Sequence, residues 1–240
     1  MPDALFDDPR FAGLYDPLDP DRSDLDAYVA MAHEFEARTV LDVGCGTGTF
    51  ACLLASAGFD VVGVDPAGAS LDVARGKPHA DKVRWIHGDA TTLPELTVDI
   101  AFMTGNVAQV FLTDEEWRAT LEGIRGALHP AGRLVFETRD PAREAWLEWT
   151  RDRTYIDTEV EGVGRVRTWT EPKEAALPLV TFADTLILPD GETLHSTSTL
   201  RFRPRDEIEE SLLATGYEVV DLRDAPDRPG REFVFIARPV

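Results

Sequence analysis

The sequence predicts an α/β fold: a doubly wound, mostly parallel seven-stranded sheet with a C-terminal antiparallel hairpin and an inserted antiparallel β segment. Three observations carry this reading. Short apolar runs alternate with helix-period segments from residue 38 to about 138, a pattern that implies parallel strands joined by right-handed crossovers. The first of these strands ends in a glycine-rich loop, Gly44-Cys-Gly-Thr-Gly48. After Trp149 the pattern changes, and residues from about 153 to 203 read as strands separated by turns.

Residues 1–22 are rich in Asp and Pro, yet Phe6, Phe11, Leu14 and Tyr15 give the segment apolar side chains that a solvated tail does not need. Ser23 with Asp26 predicts a capping box opening a helix that buries Leu25, Val29, Ala32 and Phe35. Val40, Leu41 and Val43 suit a strand covered on both faces. Thr49–Ala55 then continues as a helix whose first N–H groups have no partner within the helix. Gly58 and Gly76 fall where helices should stop. A second capping box, Thr113 with Glu116, opens a helix bearing Trp117, Leu121, Ile124 and Leu128, and Pro130 is expected to end it. Arg133–Glu137 returns to the sheet. Turns are expected near Gly162–Gly164, Glu174–Ala176 and Pro189–Gly191. Along one strand Leu194, Ser196, Ser198 and Leu200 share a side, opposite His195, Thr197, Thr199 and Arg201. Arg205–Ala214 reads as a helix, and the segments 217–222 and 233–237 as the terminal hairpin.

The glycine loop points to a nucleotide-type cofactor, because glycine lets the backbone turn sharply and approach a ligand closely. The dinucleotide fingerprint is Gly-x-Gly-x-x-Gly. Here the glycines stand at 44, 46 and 48, and Thr49 occupies the place of that pattern's last glycine. Asp65 closes the next apolar strand, where an acid suits ribose hydroxyls, and Trp85-Ile-His-Gly-Asp-Ala90 gives a third strand ending in an acid.

With these segments in order, the chain resembles the class I S-adenosylmethionine-dependent methyltransferases. The resemblance rests on Leu41-Asp-Val-Gly-Cys-Gly-Thr-Gly48, Val62-Gly-Val-Asp-Pro66, His87-Gly-Asp-Ala90, Asp99-Ile-Ala-Phe-Met103 and Leu128-His-Pro-Ala-Gly-Arg-Leu-Val-Phe136, over about residues 38 to 138. It implies S-adenosyl-L-methionine as cofactor, with Asp42, Gly44, Gly46 and Gly48 around its methionine part. It places Asp65 on the ribose, Asp89 and the Ala90 backbone on the adenine, and Thr104, Gly105 and Asn106 beside the sulfonium. It further implies that the N-terminal segment folds over the cofactor, Tyr15 touching it. The inserted strands become a lid like those of sugar amino-methyltransferases and glycine methyltransferases. The expected organisation is a cap and first helix over 1–37, a cofactor-binding Rossmann-like core over 38–149, the lid over 150–204, and a final helix and strands over 205–240.

Composition narrows the acceptor. Asp and Glu outnumber Lys and Arg by 44 to 24, a net charge of −20, which is unfavourable for binding nucleic-acid phosphates. No run approaches the ~18 apolar residues of a membrane span, and the N-terminus lacks the pattern of a signal peptide, so a cytoplasmic protein is expected. Cys45 and Cys52 are too few for a structural zinc site and read as packing residues, and no metal is expected. Relatives acting on nucleic-acid amino groups typically end the fourth strand in Asn/Asp-Pro-Pro-Tyr/Phe, whereas this chain has Thr104-Gly-Asn-Val-Ala-Gln109. The paired-glutamate hairpin of protein arginine methyltransferases is also missing. A small-molecule acceptor remains, methylated on nitrogen or oxygen by a monomer or homodimer. Gln109, Arg139 and His195 are the catalytic or acceptor candidates, with Trp146 and Trp149 as contacts; each also has a structural reading as salt bridge, core or solvated side chain. Two other functions are weighed: a non-catalytic S-adenosylmethionine-binding regulatory protein, and a nicotinamide-dependent oxidoreductase, disfavoured by Thr49 and the hairpin.

Overall fold

The computed structural model describes residues 2–240. Two short helices, α1 (Ala4–Asp7) and α2 (Pro9–Leu18), form an N-terminal cap, followed by α3 (Asp26–Glu34). The alternating core then runs β1 (Thr39–Val43), α4 (Thr49–Ser56), β2 (Asp60–Asp65), α5 (Gly68–Arg75), β3 (Val83–His87), β4 (Val98–Met103), α6 (Asp114–Ala127) and β5 (Leu128–Arg139). After α7 (Arg151–Thr154) come β6 (Ile156–Val160), β7 (Gly164–Ala176), β8 (Leu179–Ile187) and β9 (Thr193–Arg201). The chain closes with α8 (Arg205–Ala214), β10 (Tyr217–Asp224) and β11 (Glu232–Pro239).

The main sheet has seven strands in the order β10-β11-β5-β4-β1-β2-β3. Its first five strands in sequence are parallel, and β11 inserts antiparallel between β5 and β10. Side chains alternate between the faces, so each strand feeds two cores. Leu41, Ala101, Met103, Leu134 and Phe136 meet Trp117, Leu121 and Ile124 of α6 with Ile208 and Leu212 of α8. On the other face Val40, Val61, Ile100 and Phe102 meet Tyr28 and Met31 of α3 with Phe50 and Leu54 of α4. Strands β6-β7-β8-β9 form a separate antiparallel sheet, and its apolar residues Val160, Val166, Leu186 and Leu194 pack on Phe11 and Leu14 of α2.

Some boundaries differ from expectation. The Thr113–Glu116 capping box forms, but the one at Ser23 does not: Ser23–Leu25 is a 3₁₀ turn running directly into α3. Gly58 closes α4 at positive φ, its N–H donating to Ala55 O while Phe59 N–H donates to Leu54 O, the paired bonds of a Schellman stop. Gly76 keeps right-handed helical angles. Helix α6 ends at Ala127, ahead of Pro130, because Leu128 is already extended and pairs with Val98 at the start of β5. The turn expected at 174–176 lies at Leu177-Pro178, since Ala175 and Ala176 still pair with Val180 and Leu179.

Candidate active site

Strand β1 pairs with β2 on one side and β4 on the other, so chain direction across the sheet reverses beside β1. Ligands of open α/β sheets bind in the crevice at such a point, outside the strand C-termini. Five predicted segments converge there: the glycine loop after β1, Asp65 at the end of β2, Asp89-Ala90 after β3, Thr104–Asn106 after β4 and Arg139 at the end of β5.

The loop glycines divide by role. A Cβ at Gly48 would meet the Trp85 ring at 2.5 Å and Ala74 at 2.6 Å, and one at Gly44 would meet Val107 at 2.6 Å. Gly46, at φ +51, would place a Cβ against nothing within 4 Å. Thus Gly44 and Gly48 are required by neighbours in the fold, while Gly46 borders open space where a ligand can approach. The Gly46 N–H donates to Asp65 Oδ2 and the Ala67 N–H to Asp65 Oδ1, both at 2.7 Å. Each oxygen keeps lone-pair capacity for a further donor.

Asp42 is 1% exposed, and its Oδ2 has no hydrogen-bond partner. Burial, reinforced by the nearby Asp65, pushes its carboxyl up to about 7. Burial also raises Asp65 above the ordinary carboxylate range, opposed by its two backbone donors. Across the crevice Asn106 is 3% exposed, and its Oδ1 is likewise without a partner. Buried polar atoms are rarely left unpaired, so two of them flanking the crevice fit a polar ligand.

The Asp89 carboxylate is turned onto its own loop, accepting from Thr91 N–H at 2.8 Å and Thr91 Oγ1 at 2.6 Å. It is exposed, whereas Ala90 is buried. The Asn106 amide donates to Glu232 Oε2 at 3.2 Å. Sequence reasoning missed the group that shapes this loop: buried Glu137 of β5 accepts from Gly105 N–H at 2.6 Å and Asn106 N–H at 3.2 Å, and from the Tyr28 hydroxyl. Burial raises Glu137 above the usual range, its donors opposing the shift. An acid inside the apolar run Leu134-Val-Phe-Glu-Thr138 was the available signal.

The cap closes over the loop through a second unforeseen group. Asp16 of α2 accepts from Thr47 Oγ1 at 2.8 Å and Thr49 Oγ1 at 3.0 Å, and pairs with Lys77 Nζ at 2.7 Å. Phe6 O accepts from Ser70 Oγ of α5 at 2.7 Å. Tyr15 is half-buried beside Phe6, with ring centroids 5.9 Å apart, and burial raises its hydroxyl's pKa.

On the far side of the crevice, Arg139 donates to Gln109 Oε1 at 2.9 Å, lies 3.6 Å from Glu232 Oε1 and stands 5.3 Å above the Trp149 ring. The structure thus brings Gln109, Arg139 and Trp149 together. Trp146 is buried against Phe202. His195 departs from expectation. It is exposed on the side of β9 opposite the buried Leu194, Ser196 and Ser198, with Nδ1 3.2 Å from Thr185 Oγ1. Strand alternation turns it away from the core, which removes it as a base for chemistry in the crevice.

Residues 40–132 match the methyltransferase domain family. The cypemycin N-terminal methyltransferase of a Streptomyces species is 38% identical over 117 residues, 48% of each chain. The chain spans about half or less of the length of the first curated relatives it matches, at 48%, 37% and 49%. Among solved structures, an S-adenosylmethionine-dependent methyltransferase from Clostridium acetobutylicum ATCC 824 superposes with a TM-score of 0.75 at 16% identity, covering 96% of this chain and 98% of that one. CalS10, an amino pentose methyltransferase from Micromonospora echinaspora solved with S-adenosylmethionine bound, gives 0.70 at 22% identity over 92% and 93% of the chains. Residues 40–132 thus carry a methyltransferase domain, and the chain as a whole shares the fold of these S-adenosylmethionine-dependent methyltransferases. The open Gly46 position and the unpartnered Asp42 and Asn106 oxygens fit the S-adenosylmethionine used by those proteins.

Proposed function

We propose that the protein transfers a methyl group from S-adenosylmethionine, by in-line displacement, to a nitrogen or oxygen of a small molecule. The observation that carries this is the convergence of Gly46, the unpartnered Asp42 oxygen, Asp65 and Asn106 around the switch point of the sheet. When bound, the cofactor supplies an electrophilic methyl on a sulfonium that departs as a neutral thioether.

In this reading Asp42 and the glycine-loop backbone hold the methionine part, and Asp65 takes the ribose hydroxyls with its remaining lone pairs. The Ala90 backbone serves the adenine; Asp89 joins it only by releasing its turn. Glu137 fixes the loop of Thr104, Gly105 and Asn106 that borders the reacting carbon. Asp16 holds the cap, and with it Tyr15, over the crevice. Gln109, Arg139 and Trp149 form the acceptor side. Holding donor and acceptor in line can supply about 7–11 kcal/mol of the barrier reduction, which suits a site without a nucleophile–base pair. Two of the proteins this chain is similar to, named as a cypemycin N-terminal methyltransferase and an amino pentose methyltransferase, support a small-molecule acceptor. No helix among the described residues is long and apolar enough to cross a membrane. A cytoplasmic location agrees with two free, buried thiols.

The test is S-adenosylhomocysteine formation by purified protein supplied with S-adenosylmethionine and a panel of amines, sugars and small acids. The reading predicts acceptor-dependent formation with at least one class. Tight cofactor binding with no S-adenosylhomocysteine formed from any acceptor would instead favour a regulatory binding protein.

A further inference from the structure

One face of the inserted sheet carries a buried polar band set between two apolar clusters. Alternation and register put Val180, Phe182, Asp184 and Leu186 of β8 on the same side as Leu194, Ser196, Ser198 and Leu200 of β9. Leu186 and Leu194 pack on Phe11 and Leu14 of the cap. Val180 and Leu200 pack with Trp146, Trp149 and Phe202. Between them lie Asp184, Ser196 and Ser198. Asp184 Oδ1 accepts from Thr170 Oγ1 at 2.6 Å, and Ser196 Oγ accepts from Leu5 N–H at 2.9 Å. Asp184 Oδ2 and Ser198 Oγ are buried with no partner, and Ser198 is only 4% exposed.

Asp184 pairs with Ser196 and Phe182 with Ser198, so Asp184 and Ser198 are diagonal neighbours, about 7–8 Å apart on one face. One ligand with two polar groups at that separation would meet both. The band also adjoins the acceptor side of the crevice. The Phe182 ring packs on Trp149 with centroids 4.9 Å apart, and Trp149 lies beneath Arg139. The Arg139 guanidinium is engaged by Gln109 and Glu232, and the charge that Asp184 feels from the cap is Asp3, also negative. A buried carboxylate oxygen with a second acid nearby is costly unless a cation or strong donor meets it. A buried hydroxyl beside it can both donate and accept.

We propose that Asp184 and Ser198 bind the methyl acceptor, and that the acceptor carries a basic amine beside a hydroxyl group. Asp184 Oδ2 accepts from the amine and Ser198 Oγ bonds the hydroxyl, while Trp149 and Phe182 cover the apolar edge. This assignment rests on the methyl-transfer reading and specifies its acceptor.

The test is calorimetric titration of the full chain, saturated with S-adenosylhomocysteine, against paired probes: 2-amino-2-deoxyglucose with glucose, and 2-aminocyclohexanol with cyclohexane-1,2-diol. At least one amine is expected to bind, its diol partner about tenfold or more weaker. Asp184→Asn should weaken amine binding by about tenfold to a hundredfold, as loss of a charged hydrogen bond does, with S-adenosylhomocysteine affinity unchanged. Ser198→Ala should weaken amine and diol alike. If Asp184→Asn fails to fold, Ser198→Ala and the amine–diol contrast in the unaltered protein decide the matter. Diols binding as well as amines, amine affinity indifferent to Asp184→Asn, or no amine binding to the loaded protein would overturn the assignment. Failure of S-adenosylhomocysteine itself to bind would overturn the methyl-transfer reading beneath it.

Discussion

Asp42 shows how one side chain reports on the site. Its carboxyl is pushed up to about 7 by burial and by Asp65, above the ~3.9 of an unfolded aspartate. The folded chain therefore holds this proton more tightly than the unfolded one. The associated stability is complete below about pH 4 and is lost as pH rises through 7. Asp42→Asn should match the parent protein's melting temperature at acid pH and exceed it at pH 8, by about 2–4 °C for each kcal/mol regained. Cofactor affinity should fall in the same variant. Melting curves at the two pH values check the first expectation and titration the second. Residue roles were only partly legible in the sequence. Period-two alternation separated His195 from Ser196 and Ser198, but not which side would face the core; packing of Leu194 on Phe11 and Leu14 decides that. Asp184 was visible as a lone acid among Val180, Phe182, Leu186 and Leu188. Its unpartnered oxygen is a property of the folded neighbourhood and has no sequence signature.

At the scale of elements, the cap and the capping box make separate predictions. Helix α2 is joined to the glycine loop chiefly through Asp16, with Thr47, Thr49 and Lys77. Lys77→Met should loosen residues 3–18, seen as faster amide exchange in the cap, and weaken cofactor binding several-fold, as loss of a partly buried ion pair does. Unchanged exchange would show that the apolar contacts of Phe11 and Leu14 hold the cap alone. Thr113→Ala removes the box at the start of α6 and should cost about 1 kcal/mol, measured by denaturant unfolding, without altering the site. Elements whose signals are local were legible: the Thr113 box, the Arg205–Ala214 helix and the glycine loop all appear where the sequence puts them. Ser23 failed because tertiary packing of Leu25 and Tyr28 continues a 3₁₀ turn straight into α3. Asp16 with Lys77, and Glu137 with Tyr28, were not legible because each pair joins segments distant in sequence.

For the whole molecule, the strand order explains why residues picked out singly in the sequence lie together at one edge of the sheet. A parallel sheet delivers its loops to one edge, so strand-end residues identified separately converge by topology. The grouping of Gln109, Arg139 and Trp149 depends instead on how a second sheet and the cap close over that edge, which alternation alone does not specify. The excess of 44 acids over 24 bases should make the compact state repel itself. Raising salt from low concentration to about 0.15 M, where screening acts within ~8 Å, should therefore increase the melting temperature. The central claim is that the strand ends around Gly46 and Asp65 form an S-adenosylmethionine site. Its most direct test is calorimetric titration of wild type and Asp65→Ala with S-adenosylhomocysteine, with NADH in parallel. The account predicts that S-adenosylhomocysteine binds and NADH does not, and that Asp65→Ala weakens binding by about tenfold or more while remaining folded. Binding of NADH in its place, or an affinity indifferent to Asp65→Ala, would contradict it.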